Sequence, residues 1–193
     1  MKILIFSLVD LQKSAHNSRL HQFLKYLSKN HEITVLCLND WWKAQWDSRS
    51  DEYNRDFEQF FEQVSIKYIT ERKISPVMQD LLSDLYIHKV LDEINLSGYD
   101  LFYNYNGLNC GRKIAEYAKK ENIPVIFDIA DDLPEMIATS PQIPTVLKTV
   151  GRIVGRRRLE QNIGFSDKVT ITTNYFQTLY NIPTEKTEII PNG

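Results

Sequence analysis

The sequence predicts an α/β fold: a doubly wound parallel sheet of about seven strands, Rossmann-like, with helices on both faces, forming a single domain over residues 1–193. Three observations predict it. Short β-rich apolar runs alternate with longer helix-like segments from end to end, a rhythm that implies right-handed crossovers between parallel strands. Several of those runs are apolar almost without interruption, as strands covered on both faces are. Finally, 193 residues, 42% hydrophobic and 25% charged, suffice for one substantial core rather than two.

The strands follow in order. KILIFSL (Lys2–Leu8) is the first; Asp10 ends its apolar run far short of the roughly 20 residues a membrane span requires. EITVLCL (Glu32–Leu38), VSIKYI (Val64–Ile69), DLFYNY (Asp100–Tyr105), PVIFDI (Pro124–Ile129), KVTITT (Lys168–Thr173) and TEIIP (Thr187–Pro191) are the others. Between them lie the helical segments SRLHQFLKYLSKN, DEYNRDFEQFFEQ, VMQDLLSDLYIHKVLDEI, CGRKIAEYAKKEN and VLKTVGRIVGRRRLEQN. Leu20, Phe23, Leu24 and Leu27 recur at helical spacing, as do Leu82, Tyr86, Val90 and Ile94. Ser75-Pro76 reads as an N-cap followed by a first-turn proline, and Asn174 with Gln177 as a capping box. No repeat, low-complexity tract or internal linker interrupts the pattern.

Charge and cysteine usage narrow the function classes. A formal net charge of -2 gives no global drive toward nucleic acid, and none is expected as a partner. Cys37 and Cys110 form neither a metal-ligand spacing nor a disulfide framework, which points to a reducing, cytoplasmic setting.

Open parallel sheets bind ligands beyond the carboxyl ends of their strands, near the point where strand order reverses. That rule selects Val9–Ser18, Asn104–Gly107, Asp128–Glu135 and Thr173–Tyr175. The first of these loops, VDLQKSAHNS, has no glycine, so a pyrophosphate cannot approach its backbone as in nicotinamide or flavin enzymes; a P-loop is also missing. His16 and His21 are five residues apart, the wrong spacing for metal ligands on one helical face, and read as a polar loop residue and a surface helix residue. In FDIADDLPE, Asp128, Asp131 and Asp132 suit a general base or the binding of sugar hydroxyls, while any one of them could instead cap the following segment. No metal is expected there, because no further carboxylate or histidine converges on them.

KTVGRIVGRRRLEQ carries Lys148, Arg152, Arg156, Arg157 and Arg158 against Glu160, beside an apolar stripe of Val146, Leu147, Val150, Ile153 and Val154. Two readings apply: a crossover helix packing its stripe on the sheet, which the topology favours, or a helix lying on an anionic membrane surface. Trp41, Trp42 and Trp46 cover a core edge or grip a lipid or sugar face.

Three segments together resemble the N-terminal domain of family-4 glycosyltransferases of the two-domain GT-B type. RLHQFLKYLSKNHEITVLC is similar to that family's first helix and second strand. FDIADDLPE resembles a D-I-R-D-L-W-P-E loop of one branch at Asp128, Ile129, Asp131, Pro134 and Glu135. FSDKVTITTNYFQTLY followed by KTEIIPNG resembles the family's aspartate before strand six (Asp167) and its IPNG turn (Ile190, Pro191, Asn192, Gly193). The chain departs from the family at Ser14, Ala15, His16 and Asn17, where many members carry a Gly-Gly pair. It also departs at Asn104 and Asn106, where histidines are common, and at Ala130, Asp132 and Leu133 in the acidic loop.

The resemblance implies the acceptor-side half of an enzyme that moves a sugar from a nucleotide-sugar donor to a glycan or lipid-linked acceptor. No resident cofactor is implied; the donor is a co-substrate, held mainly by a C-terminal domain that IPNG would lead into, so this half by itself is expected to be inactive. Asp128 and Asp131 are the expected catalytic residues, meeting acceptor hydroxyls. Asn17, Arg19, Asn104, Asn106, Asp132, Glu135 and Asn174 are the expected substrate-binding residues, with Asn17 and Arg19 at the cleft floor. The alternative is a stand-alone carbohydrate- or lipid-carrier-binding or regulatory module that pairs with a separate donor domain. Either would work in the cytoplasm or at the inner face of its membrane.

Overall fold

A computed structural model of the chain describes residues 1–8, 11, 19–38, 64–70, 79–80, 82–141 and 143–192. The helix read in 51–63, the Ser75-Pro76 cap and Trp41, Trp42 and Trp46 lie outside the described residues. Within them the elements are β1 (Lys2–Ser7), α1 (Arg19–Leu27), β2 (Glu32–Cys37), β3 (Val64–Tyr68), α2 (Ile87–Ile94), β4 (Leu101–Tyr105), α3 (Asn109–Lys120), β5 (Val125–Ile129), α4 (Leu133–Thr139), α5 (Thr145–Phe165), β6 (Lys168–Ile171), α6 (Asn174–Leu179) and β7 (Thr187–Ile189). Single 3-10 turns occupy Ser83–Leu85, Leu96–Gly98 and Thr184–Lys186.

All seven strands pair in parallel in the order β3-β2-β1-β4-β5-β6-β7. Strand order reverses between β1 and β4, so the switch-point crevice lies at their carboxyl ends. Alternation along β1 sends Leu4 and Phe6 to one face and Ile3 and Ile5 to the other. The first pair packs with Phe102 and Val125 against Ile87, Leu91 and Ile94 of α2 and Ile114 and Ala118 of α3. The second packs with Val35 and Tyr103 against Leu20 and Leu24 of α1. A third cluster joins Phe127, Ile129, Val169 and Ile171 to Leu159 and Ile163 of α5 and Phe176 of α6. This is the doubly wound, Rossmann-like architecture that the alternating pattern predicts.

The differences from expectation are local. The long segment ending in LDEI is broken, because Tyr86 (φ -137°) leaves helical geometry between a 3-10 turn and α2; Leu82, placed on the apolar stripe, is exposed. The short helix α4 was not anticipated, although Asp132 before Pro134 and Glu135 is a start signal. At α6 the N-cap is Thr173 without a side-chain bond, so the Asn174 capping box does not form; the Gln177 amide donates to Thr184 Oγ1 instead (3.1 Å).

The largest correction concerns α5. Val146, Leu147, Val150, Ile153 and Val154 do not pack on the sheet but are exposed, while Gly155, Leu159, Asn162 and Ile163 form the buried side. The helix is 21 residues long, more than the crossover needs, and its first turns pack on α4 rather than on the sheet.

Candidate functional site

The loops that leave β1, β4, β5, β6 and β7 gather at one end of the sheet, because all seven strands are parallel. Asn17 and His16 lie outside the described residues. What surrounds the crevice is built by alternation: Tyr103 and Tyr105 of β4, Asp128 of β5 and Thr170 of β6 project toward the face that α1 covers, whereas Asn104 projects toward the opposite face.

Asp128 is completely buried, and its carboxylate is fully engaged by the protein. Arg19, the first residue of α1, meets it in a fork: Nε donates to Oδ2 at 3.0 Å and Nη2 to Oδ1 at 3.1 Å. Thr170 Oγ1, its cross-strand neighbour, donates to Oδ1 at 2.6 Å. The same guanidinium lies over the Phe23 ring (4.7 Å to its centroid) and donates through Nη1 to the carbonyl of Ile190, just past β7. Arg19 therefore ties α1, β5 and the exit of β7 together. With side-chain exposures of 4% and 0%, Arg19, expected at the cleft floor, and Asp128, expected to meet acceptor hydroxyls, form a clamp whose polar atoms bond to the protein itself.

Asn104 also has an internal task. Its Nδ2 donates to the Gly107 carbonyl (3.1 Å) and to Asn162 Oδ1 (2.9 Å), and its Oδ1 accepts the Gly107 N–H (3.2 Å). Asn162 of α5 donates in turn to the carbonyls of Gly107 and Leu108. Gly111 makes room for this cluster, since a β-carbon there would stand 2.1 Å from Asn104 Oδ1. The buried amide that sequence reasoning assigned to substrate thus fixes the β4–α3 loop.

The consequence is the conformation of Asn106. It sits at φ 53°, a left-handed geometry that asparagine tolerates, with its N–H donated to the Asp128 carbonyl (2.9 Å). Its side-chain amide reaches Asp131 Oδ2 at 3.4 Å. Asp131 is exposed at the crevice, yet partial burial of its carboxyl, followed by the charge of Asp128, raises its pKa above the usual carboxylate range. Tyr105, which sequence reasoning missed, lies near both acids: burial first, then Asp128 and Asp131, pushes its phenol up to about 12, so it remains a hydrogen-bond donor at neutral pH. Its position on the Tyr103 face of DLFYNY was the available signal.

The remaining candidates line the rim or serve structure. Asp132 caps α4, accepting the Glu135 N–H (3.1 Å) and the Tyr180 hydroxyl (2.8 Å). Glu135 is exposed and pairs with Arg152 of α5 at 3.3 Å. Asn174 is exposed at the start of α6. His21 is not a surface residue: it is buried, with Nε2 at 3.0 Å from the Leu11 carbonyl. Asp167 accepts the Val125 N–H (2.8 Å) and Lys119 Nζ (2.7 Å), which hold its carboxyl below the usual range against the upward push of partial burial. Among the described residues, no three His, Cys, Asp or Glu side chains converge as metal ligands, and no helix is long and apolar enough to cross a membrane.

A second polar cluster was not visible in the sequence. Asp80, fully buried, accepts the N–H groups of Asn109 (2.9 Å) and Cys110 (2.8 Å) at the start of α3, and Asn109 Nδ2 donates to Ser83 Oγ (2.9 Å). The helix N-terminus beside the switch point, which attracts phosphate in dinucleotide-binding sheets, is thus filled by the chain's own carboxylate. Burial pushes Asp80 up to about 6 from 3.8, with Asp84 adding to it and the two N–H bonds and Arg158 opposing. The folded state therefore binds this proton more tightly than the unfolded chain does. Its contribution is complete below pH 3.8 and is lost as pH rises through about 6, by on the order of 3 kcal/mol. Denaturant titrations across that window should show the decline in wild type and a flatter profile in Asp80→Asn.

Comparison with known proteins finds no matching family model and no matching curated protein. Among solved structures, Phytolacca americana UGT2 complexed with UDP-2-fluoro-glucose and pterostilbene matches over 100% of this chain, with a TM-score of 0.58 and 9% identity. The match covers 52% of that chain, so this chain spans about half its length. The FtsZ dimer of M. jannaschii overlaps more loosely, with a TM-score of 0.46 and 10% identity over 95% of this chain and 48% of that one. The fold is therefore that of a glycosyltransferase-like Rossmann domain.

Proposed function

We propose that the chain forms the acceptor-side half of a family-4, GT-B glycosyltransferase, and that a nucleotide-sugar donor is supplied by a second, C-terminal domain. The observation that carries this reading is the fit of the whole chain to about half of a sugar-nucleotide-bound transferase. It is joined by an exposed carboxylate of raised pKa, Asp131, at the crevice of the sheet.

In this reading the polar groups divide into two sets. Asp131 receives the acceptor hydroxyl, first as a hydrogen-bond acceptor and then as the group that takes its proton, for which a raised pKa suits it. Asn106 orients the Asp131 carboxylate, and the Tyr105 phenol and Asn174 offer further contacts to a polyol. Asp132 and Glu135 hold the rim through their bonds to α4 and α5. Asp128 and Arg19 act one step back: they keep a negative charge beside Asp131 and fix the backbone that presents it. Asn104 acts likewise through the Asn106 loop.

Half a cleft cannot position donor and acceptor together, and that positioning accounts for much of such an enzyme's rate. The proposal therefore expects the reading frame to continue past Gly193 into a second Rossmann-like domain, and the intact product to transfer sugar from nucleotide donors to glycan or lipid-linked acceptors. The test is to assay that product against a panel of nucleotide sugars. A product that transfers no sugar from any of them, or this chain turning over alone at ordinary enzymatic rates, would show the assignment of roles to be wrong.

A further inference from the structure

We propose that the outer face of α5 docks on an anionic lipid bilayer. Val146, Leu147, Val150, Ile153 and Val154 recur at i, i+1, i+4, i+7 and i+8, and all are exposed, Val146 at 82% and Ile153 at 63%. At roughly 100° per residue they form one stripe on the side of the helix away from Gly155, Leu159 and Asn162, which face the protein. The inner side is closely occupied: a β-carbon on Gly151 would stand 2.7 Å from Ile137 of α4, and one on Gly155 would touch Pro134 and Leu108. Among the described residues the core is thus complete without the stripe, which leaves an amphipathic surface.

Charge identifies the occupant. The helix carries Lys148, Arg152, Arg156, Arg157 and Arg158 against one acid, Glu160. The exposed Arg157 extends the apolar line by one turn and Arg156 borders it, whereas at roughly 100° per residue Lys148 and Arg152 fall on the side turned toward the protein, and Arg158 is half-buried and donates to Gln161 Oε1 (3.1 Å). The pairs Arg152–Glu135 (3.3 Å) and Arg156–Glu160 (3.2 Å) are half-exposed and add little, but Arg156 also donates to the Leu179 carbonyl (3.3 Å) and lies over the Tyr180 ring (5.8 Å), so the exposed Arg157 on the stripe itself is the cation best placed to meet an anion. A second copy of the chain would bring like charges together across the contact. Nucleic acid would meet valine and isoleucine at the centre of the face. A bilayer satisfies both features, with the apolar residues below the headgroups and Arg157, on the same line, reaching phosphate. Because α4 packs on α5 and starts just after Asp131, docking brings the crevice to headgroup level; only the further step, that the acceptor is lipid-linked, rests on the function proposed above.

Cosedimentation of the full chain with vesicles tests this. Binding is expected to mixed phosphatidylcholine and phosphatidylglycerol vesicles, not to phosphatidylcholine alone, and to weaken with salt. The double variant Val150→Asp with Ile153→Asp should lose binding more than tenfold, and Arg157→Glu roughly fivefold per unit of charge changed. Both variants alter exposed positions, and circular dichroism should report an intact fold. Failure to bind phosphatidylglycerol vesicles at low salt, or equal binding by wild type and the double variant, would overturn the proposal. So would self-association of the wild type, abolished by that variant, in place of vesicle binding.

Discussion

Replacing Asp128 by alanine is expected to destabilise the chain by about 3–5 kcal/mol, and Arg19→Ala by a similar amount, because each leaves its partner as an unpaired charge with almost no exposure. The cost comes from desolvation: within the sheet, water cannot replace the fork of two N–H donors or the Thr170 hydroxyl. Substituting both partners by apolar residues, Arg19→Met with Asp128→Leu, should be less damaging than either alanine variant, since no buried charge then remains. Urea denaturation at constant m-value measures all three. A single variant that loses no more than an exposed ion pair does, about 1 kcal/mol, would show that the clamp is unimportant. Arg19→Ala carries an additional signature. It removes the donor to the Ile190 carbonyl, so amide exchange at Ile190, whose N–H bonds the Ile171 carbonyl at 2.9 Å, should accelerate.

In the intact enzyme proposed above, Asp131→Asn should lower kcat by about 10²–10⁴ while leaving stability within roughly 0.5 kcal/mol of wild type. The asparagine keeps the size and one acceptor oxygen, so what it removes is the capacity to take a proton. Burial and the neighbouring Asp128 charge both raise the Asp131 pKa, so the acid limb of the wild-type rate profile should lie above the ordinary carboxylate range. Activity falls as pH drops through that value, because only the ionised form accepts the proton. Moderate loss confined to KM would instead make Asp131 an acceptor-binding group without a proton-transfer role.

The contrast between Asp128 and Asp131 shows where the sequence is informative. The two lie three residues apart in one acidic stretch, equally plausible as ligands by residue type. Strand alternation buries the first beneath α1, while the second falls beyond the end of β5, where no neighbouring strand constrains it. The asparagines divide in the same way: Asn104 faces α5 from within β4, whereas Asn106 turns at the loop and reaches Asp131. Asp80 was hidden because its partners are backbone N–H groups about 30 residues away, and such groups leave no mark in a side-chain pattern.

The sequence by itself determined the parallel sheet. All seven strands appear at the runs that predict them, within one or two residues at each end, because continuous apolar runs and helical spacing are local consequences of burial on two faces. Only the tertiary structure decided which polar residues are free. It assigned Arg19, Asp128 and Asn104 to internal bonds, and it turned the apolar stripe of α5 outward. Helical periodicity says that a stripe exists; which side meets the core depends on neighbours, here α4, whose Ile137 would stand 2.7 Å from a β-carbon at Gly151 on the other face.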